Sequence, residues 1–304
     1  MTPSVFPILR NVWGTTLSRG RGYEPHPPGR AFARDRVAGY FLDFTSKTVS
    51  AAASEPESLS PAAIAQIALG AWERILRGNA AAADIFDRAC RALELRAVSV
   101  GREARWTYAV SVPKYGLRPG WSSALAQGQI ASVFVRAYLA GGDVRHADLA
   151  LAAIEPLLVE TETDLVTPTA RGPVLQEAPS APASNILNGW IYALWGLWDV
   201  GVGLGDARAE AAFAASAACL TRSIDDYDTG WWSRYSTYPH RLDDLAKPFY
   251  HRLHVAQLEI LHRLTGDAEL LRTARRWSGY DRAPNRARAL SQKGAFVLRG
   301  RGIR

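Results

Sequence analysis

Cysteine and long apolar runs are both scarce in this sequence of 304 residues. Its two cysteines, Cys90 and Cys219, lie in alanine-rich stretches with a helical pattern, which argues against a disulfide framework and predicts buried thiols. No run approaches the ~20 consecutive apolar residues that a membrane-spanning helix needs. The first residues are interrupted by Pro3 and Pro7, so they lack the continuous apolar core of a signal peptide. We therefore expect a soluble protein without a membrane span.

Acidic residues are the minority among the charged side chains. The 29 Asp and Glu residues face 36 Lys and Arg residues, which gives a net charge of +7 and a pI near 9.6. Such an excess favours an anionic partner, but a polyuronate and a nucleic acid would both satisfy it. With 48% hydrophobic residues, the chain can bury a substantial core, and its length allows one large domain or two ordinary ones.

Helical signals dominate the chain after an irregular start. Residues 1–58 contain closely spaced proline and glycine, which predicts a segment that wraps over the rest, with a short strand or surface clamp at 39–44. From Ser60 onward, helical stretches are predicted in four pairs, at 60–77 and 80–96, 122–140 and 144–159, 186–203 and 206–226, and 245–264 and 267–280. Within each pair a glycine ends the first helix, and Asp or Asn begins the second.

Four consecutive helical hairpins predict a mainly α fold, an α/α toroid that forms an incomplete barrel over residues 59–280. The first helix of each pair is expected to line the inside. Between the pairs, residues 96–120 alternate Trp106, Tyr108 and Val110 and predict a small β-hairpin, whereas 159–185 reads as a long loop. For the basic tail at 281–304 two predictions remain open, namely a strand that packs back on the domain and a disordered segment.

Several short motifs occur in one order along the chain. The most specific are Asn188-Gly189-Trp190, Asp228-Thr229-Gly230 followed by Tyr235, and Tyr250-His251 with His254 and Gln257. Less specific blocks surround them, at Trp121-Ser122-Ser123, Gln127-Gly128-Gln129, Arg136-Ala137-Tyr138 and Arg276-Trp277. Together they resemble the C-terminal helical domain of the D-glucuronyl C5-epimerases over roughly two thirds of the chain.

The resemblance implies a site built from one carboxylate and several tyrosines. Removing the C5 proton of a glucuronate requires a base on one face of the sugar, a proton donor on the other, and stabilisation of the enediolate. Carried over residue by residue, the glutamate of the family corresponds to Glu177 and the tyrosine of its Tyr-His block to Tyr250. Tyr235 corresponds to a further tyrosine near the glycosidic oxygen.

The chain departs from the family pattern at two positions. Ala178 stands where the family has a tyrosine, and Tyr238 stands where it has an arginine. Tyr238 or His240 is therefore a candidate for the missing hydroxyl. Arg234 or Arg241 is a candidate for the missing guanidinium.

Polar and aromatic side chains around these positions are the candidates for substrate binding. They are Gln127, Gln129, Asn188, Arg234, Tyr238, Arg241, His251, His254, Trp121 and Trp231. The tryptophans are candidates because aromatic faces stack on sugar rings. For Gln127 and Gln129, hydrogen bonds to neighbouring loops are the alternative to sugar binding. His251 and His254 share a helix face, but no third ligand is evident, so we expect no metal and no cofactor.

The sequence thus predicts an epimerase that converts D-glucuronic acid units to L-iduronic acid in a heparosan-like polysaccharide. Two alternatives remain open, namely a polysaccharide lyase that starts from the same C5 carbanion and a non-catalytic relative that binds acidic glycans. The expected partner is an anionic polysaccharide or oligosaccharide, and not a nucleic acid, because the arginines are dispersed and no recognised module is present. The resemblance also implies a homodimer. The expected location is the bacterial cytoplasm, with export after loss of a leader as the alternative.

Overall fold

The computed structural model describes Leu42 and residues 59–161 and 164–300, and this part of the chain is mostly helical. Its helices are α1 (Pro61–Leu76), α2 (Ala82–Leu95), α3 (Ala124–Gly141), α4 (Val144–Ile154), α5 (Leu187–Leu204), α6 (Ala207–Ser223), α7 (Pro248–Thr265), α8 (Ala268–Ser278) and α9 (Ala283–Gly300). The predicted α/α architecture is confirmed. The segment predicted at 1–58 lies outside the described residues, apart from Leu42, which is buried.

Local signals explain where the paired helices begin and end. Gly142, Gly205 and Gly266 end α3, α5 and α7 with positive φ angles of 70°, 70° and 75°, a conformation that glycine adopts without steric cost. The side chains of Asp143, Asp206 and Asp267 then accept hydrogen bonds from backbone N–H groups in the first turns of α4, α6 and α8, as N-caps do. Short turns between antiparallel helices follow from this pattern.

The first helices of the pairs stand side by side in the order α1, α3, α5, α7, and the second helix of each pair packs against the first. The contact between α3 and α5 is especially close, because Gly128 and Gly196 face each other. A Cβ atom on Gly196 would lie 2.3 Å from the Cα atom of Gly128. An ion pair of 2.6 Å between Arg136 and Asp199, buried at both ends, joins the same two helices. The inner position predicted for these helices agrees with their almost complete burial.

Within the described ranges, four short antiparallel strand pairs lie in the connections between helices. They are β1 (Val98–Val100) with β2 (Glu103–Arg105), β3 (Thr107–Tyr108) with β4 (Trp121–Ser122), β5 (Val166–Thr167) with β6 (Val174–Leu175), and β7 (Arg234–Ser236) with β8 (Asp244–Leu245). In the second pair, Tyr108 lies opposite Trp121. The segment predicted as one hairpin, 96–120, therefore contains β1–β2 and enters β3–β4, whose connection spans 109–120.

The basic tail corrects a prediction, because residues 283–300 form the helix α9 and not a strand or a disordered segment. Ala289, Lys293 and Phe296 lie at i, i+4 and i+7, so they share one helix face. Ala289 and Phe296 are buried, and Ala289 packs in one cluster with Trp232 and Leu245. This helical period outweighs the short apolar run on which the strand prediction rested. Among the described residues, every helix is too short or too polar to cross a lipid bilayer.

Candidate active site

Glu177 follows β6 and lies against the first turn of α5. The close approach needs Gly189, because a Cβ atom there would lie 2.2 Å from Glu177 Oε2. Asn188 Nδ2 donates a hydrogen bond of 3.3 Å to the same carboxylate oxygen. The neighbouring Gln176 fixes the loop, since its Oε1 accepts from the backbone N–H of Asn185 at 2.9 Å and from Ser184 Oγ at 3.0 Å.

Two of the predicted tyrosines meet beside this carboxylate. Tyr235 lies in β7 and Tyr250 in the first turn of α7, and their rings are 5.0 Å apart at an angle of 66°. The charge of Glu177 acts on the hydroxyl groups of both Tyr235 and Tyr250. The structure therefore brings together Glu177, Tyr235 and Tyr250, although 15 residues or more separate any two of them in the sequence.

Burial shifts the pKa of each of these groups. It raises the pKa of Glu177 from 4.5 to about 7, and hydrogen bonds from Tyr235 and Asn188 oppose the rise. Burial, with a smaller contribution from the Glu177 charge, raises the pKa of Tyr250 to about 12. The pKa of Tyr235 lies well above its usual value for the same two reasons, with further contributions from neighbouring acidic groups. Near neutral pH, this arrangement holds a carboxyl group that can accept or release a proton beside tyrosines that carry theirs.

Strand β3 and the β3–β4 connection each supply one more tyrosine, which the sequence did not assign to the site. The pKa values of Tyr108 and Tyr115 are raised, mainly by burial, and the charge of Glu177 contributes to both shifts. Tyr108 stacks on the predicted residue Trp121, with ring centroids 4.2 Å apart and an angle of 10°. The alternating aromatic pattern around Tyr108 was the only signal for it in the sequence.

Tyr238 lies near Ala178, the position at which the family pattern has a tyrosine. Its ring meets Tyr115 edge-on at 5.2 Å, and both belong to a small cluster with the buried Ala178 and with Tyr235. The predicted replacement of a missing hydroxyl by Tyr238 stays a prediction. His240 instead packs against Phe296 of α9, with ring centroids 4.5 Å apart.

Gln127 is a structural residue, and this corrects its prediction as a sugar ligand. Its side chain is fully buried, and its Oε1 accepts from the backbone N–H of Trp106 at 3.1 Å. Its Nε2 donates to the carbonyl oxygens of Ala104 and Ala153, both at 2.8 Å. Because these bonds use both amide protons, Gln127 joins α3 to the β2 region and α4.

His251 and His254 are also buried in the protein interior, which corrects their prediction as substrate ligands. His251 Nε2 donates to the carbonyl oxygen of Trp277 at 2.9 Å, and its Nδ1 lies 2.8 Å from Ser233 Oγ. Its ring stacks on Trp232 at 3.8 Å. His254 Nδ1 lies 3.1 Å from the same Ser233 oxygen. Burial lowers the pKa of His251 to about 4 and that of His254 well below its usual value, so both rings are neutral near pH 7.

Of the two predicted arginines, Arg234 binds other partners and Arg241 is exposed. Arg234 Nε donates to Asp243 at 2.8 Å, and its Nη1 donates to the carbonyl oxygen of Asp226 at 2.7 Å. These contacts hold the loops around β7. Arg241 lies exposed on the surface. Neither guanidinium is therefore placed beside Glu177 by a described contact.

Two further predicted residues have surroundings that neither support nor exclude contact with a sugar. Trp231 is half-buried, and the guanidinium of Arg288 in α9 lies 3.9 Å above its ring. Gln129 is fully buried, and neither atom of its side-chain amide has a hydrogen-bond partner in the part of the chain that the structure describes. Sugar binding by Trp231 and Gln129 stays a prediction. In the same part of the chain, no three His, Cys, Asp or Glu side chains converge as metal ligands.

Known proteins resemble this chain in sequence and in fold. The family model described as the D-glucuronyl C5-epimerase C-terminus matches residues 100–279. A D-glucuronyl C5-epimerase of Caenorhabditis elegans is 31% identical over 183 residues, which cover 55% of this chain and 30% of that protein. An uncharacterized protein of Methanocaldococcus jannaschii is 29% identical over 177 residues, which cover 57% of this chain and 56% of that protein. The chain thus spans less than two thirds of the length of either relative.

A solved structure shares the fold. The crystal structure of a sugar epimerase from a ruminal bacterium superposes with a TM-score of 0.53 at 15% sequence identity. The match covers 72% of this chain and 58% of that one. At this level of identity the likeness concerns the arrangement of the helices alone.

Proposed function

Because the chain belongs to the D-glucuronyl C5-epimerase family through its match to that family's C-terminus, we propose that it is a carbohydrate epimerase. Its proposed reaction inverts C5 of D-glucuronic acid units, to L-iduronic acid, in a heparosan-like polysaccharide or oligosaccharide. One observation carries the proposal, namely the convergence of Glu177 with Tyr250 and Tyr235. A carboxyl group with a pKa of about 7 beside buried tyrosine hydroxyl groups suits proton transfer at a weakly acidic carbon.

The reaction needs one proton acceptor and one proton donor. In the proposed mechanism the Glu177 carboxylate removes the C5 proton from one face of the sugar, and the electron pair of the C–H bond moves into the enediolate. Tyr250 then donates its hydroxyl proton to C5 from the opposite face. The enediolate is a far stronger base than the tyrosinate, so Tyr250 can donate despite its pKa of about 12.

We assign to Tyr235 the proton transfer that returns Glu177 and Tyr250 to their starting protonation states. The charge of Glu177 acts on the Tyr235 hydroxyl group, and the Tyr235 ring contacts Tyr250. After one inversion Glu177 holds an extra proton and Tyr250 lacks one. A proton passed through Tyr235, or exchanged with water, restores both groups, and the same steps in reverse convert iduronate to glucuronate.

The surrounding aromatic side chains suit a sugar ligand. Trp121 stacks on Tyr108, on whose hydroxyl group the Glu177 charge acts, and aromatic faces pack well on the apolar faces of sugar rings. The net charge of +7 favours association with a polyanion.

Deuterium exchange tests the proposed reaction. In deuterated water, the unmodified protein is expected to place deuterium at C5 of heparosan oligosaccharides and to form iduronate, both of which NMR detects. The Y250F and E177Q variants should invert C5 about 10²- to 10⁴-fold more slowly, the effect typical of a lost general acid or base. Each should still exchange the C5 proton on the face that it retains, in one epimer only.

The control is Y138F, at the far end of α3 from the loop that holds Glu177, and it should react like the unmodified protein. Inversion at the normal rate by Y250F or E177Q would remove that residue from the mechanism. A product with a C4–C5 double bond would identify a lyase instead. Binding of the oligosaccharide without any C5 exchange would identify a non-catalytic glycan-binding protein.

A further inference from the structure

A buried carboxylate in β8 holds two lysines that come from distant parts of the chain. Asp244 has a side chain that is 1% exposed, and Lys114 Nζ lies 2.5 Å from its Oδ2. Lys293 of α9 contacts its other oxygen, Oδ1. Ser236 Oγ donates to Oδ2 at 2.8 Å. The two lysines are thus fixed on either side of one carboxylate.

This lysine pair borders the tyrosines of the candidate active site. Lys114 Nζ donates to the hydroxyl oxygen of Tyr115 at 2.9 Å, and Lys293 Nζ lies 5.2 Å from the centre of the Tyr235 ring. The charges of Glu177 and Asp244 both act on Tyr115 and on Tyr235. The lysine pair and Glu177 therefore lie near the same two tyrosines.

The charges of this cluster do not balance. Among the described residues, Asp244 is the one acidic partner of both lysines, so two cations face one anion. Burial lowers the pKa of Lys293 although Asp244 opposes the shift, and Lys114 and Lys247 add repulsion. The Lys293 side chain is only 15% exposed, whereas that of Lys114 is 33% exposed, so the excess positive charge is open to a second anion that approaches Lys114 from solvent.

We infer that Lys114 and Lys293 together bind the carboxylate of the reacting uronate, with Asp244 as the positioning residue that holds both ammonium groups. This inference rests on the proposed function. An ammonium group has three donors, so each lysine can bind Asp244 and still donate to a substrate oxygen. Two cations at the substrate carboxylate would also stabilise the charge that develops in the enediolate.

The inference makes α9 a part of the site. Lys293 lies beyond residues 100–279, which the family model matches, and it reaches the site because Ala289 and Phe296 pack its helix against the domain. The two arginines predicted for this role have other surroundings, in the contact of Arg234 with Asp243 and in the exposure of Arg241.

Binding to two matched ligands tests the inference. The probes are a heparosan oligosaccharide and the same oligosaccharide with its carboxyl groups reduced to alcohols, and calorimetry measures both affinities. The unmodified protein should prefer the carboxylate form. K114M and K293M should each lose about 10- to 100-fold in affinity for that form, the usual effect of one hydrogen bond to a charged group, with little change for the reduced form.

Two variants serve as controls. K247M removes a charge from the exposed residue before α7 and should keep the preference, and K293R keeps the charge and should retain part of it. Equal weakening of both ligands by K114M and K293M, or an unchanged preference, would overturn the inference. If the unmodified protein inverts C5 but K114M and K293M still prefer the carboxylate ligand, this inference is wrong and the proposed function stands. No preference and no C5 exchange in the unmodified protein would count against the proposed function itself.

Amine labelling of the unmodified protein gives a second test that does not depend on variants folding. The carboxylate oligosaccharide should protect Lys114 and Lys293 from acylation, measured by mass spectrometry, while Lys247 stays reactive. The reduced oligosaccharide should protect neither lysine. Equal labelling with and without the carboxylate ligand, at concentrations that saturate binding, would exclude the lysine pair from the binding site.

Discussion

Glu177 illustrates how one residue acquires chemistry from its surroundings. In an unfolded chain its carboxyl group is ionised near neutral pH, whereas burial in the folded protein raises its pKa from 4.5 to about 7. A base with a pKa close to the working pH is present in its reactive form and still binds a proton well. The carboxyl group thus becomes suited to proton transfer at the expense of folding stability, because its charged form is poorly solvated.

The expected cost of this carboxyl group depends on pH. Between about pH 4.5 and 7 the folded protein keeps the proton on Glu177, while the unfolded chain releases it. The free energy of unfolding should therefore fall as the pH rises through this window, by up to roughly 3 kcal/mol from this group. The E177Q variant lacks the group, so its stability relative to the unmodified protein should increase from pH 5 to pH 8.

Urea unfolding of both proteins at the two pH values measures this change. The control E160Q alters an exposed loop carboxylate, and its stability relative to the unmodified protein should be the same at both pH values. A constant difference between E177Q and the unmodified protein would mean that Glu177 titrates normally in the folded state.

At the scale of single elements, the start of α5 is shaped to receive the loop after β6. Asn188 supplies a donor to the Glu177 carboxylate, and Gly189 supplies the space for it. Glycine inside a helix normally costs about 1 kcal/mol relative to alanine. Its presence in the first turn of α5 is explained by the close approach of the Glu177 side chain, which a Cβ atom would block.

Replacing Gly189 by alanine should therefore reduce activity more than stability. The new Cβ atom would lie 2.2 Å from Glu177 Oε2 and 2.4 Å from Glu177 Cβ, so the carboxyl group must move. A displacement of about 1 Å can cost on the order of 100-fold in rate. The gain in helix propensity offsets part of the strain. Kinetics on heparosan oligosaccharides and thermal melting measure the two effects.

Gly141 provides a matched control near the end of α3. A Cβ atom on it would meet nothing within 4 Å, so G141A should keep full activity and be neutral or slightly more stable. Unchanged activity in G189A would contradict the position of Glu177 against α5.

At the scale of the whole molecule, the connections between helix pairs gather the site. Tyr108 and Tyr115 come from the segment between α2 and α3, Glu177 from the segment between α4 and α5, and Tyr235 from the segment between α6 and α7. Tyr250 opens α7, which follows the last of these. A row of helical hairpins places successive connections next to one another, so residues far apart in the chain converge.

The same arrangement predicts cooperative unfolding of the helical part of the chain. Among the described residues, one continuous cluster of buried apolar side chains extends from Ile64 in α1 to Trp277 in α8, and the two remaining clusters beside it are much smaller. Urea unfolding followed by circular dichroism and by tryptophan fluorescence should give coincident transitions. Two separated transitions would contradict the prediction of one toroidal domain over residues 59–280.

Local signals were sufficient for the four helix pairs but not for α9, and short motifs made Glu177, Tyr235 and Tyr250 the candidate site residues. The ends of the paired helices depend on nearby residues such as Gly142 and Asp143, whose backbone preferences act within one turn. The candidates Glu177, Tyr235 and Tyr250 were predicted from their place relative to short motifs that resemble those of the D-glucuronyl C5-epimerases. Such features can be recognised without knowing which parts of the chain meet in space.

Contacts between distant residues could come only from the folded chain. Lys114 and Asp244 are 130 residues apart, and Lys293 is 49 residues beyond Asp244, so no spacing rule relates the three. The burial of Gln127, His251 and His254 likewise depends on which neighbours surround them, since polar side chains occur both in hydrogen-bonded interiors and in binding sites. The helix α9 keeps its position through Trp232 and Leu245. Long-range packing therefore decided which polar residues border the site and which support it from within.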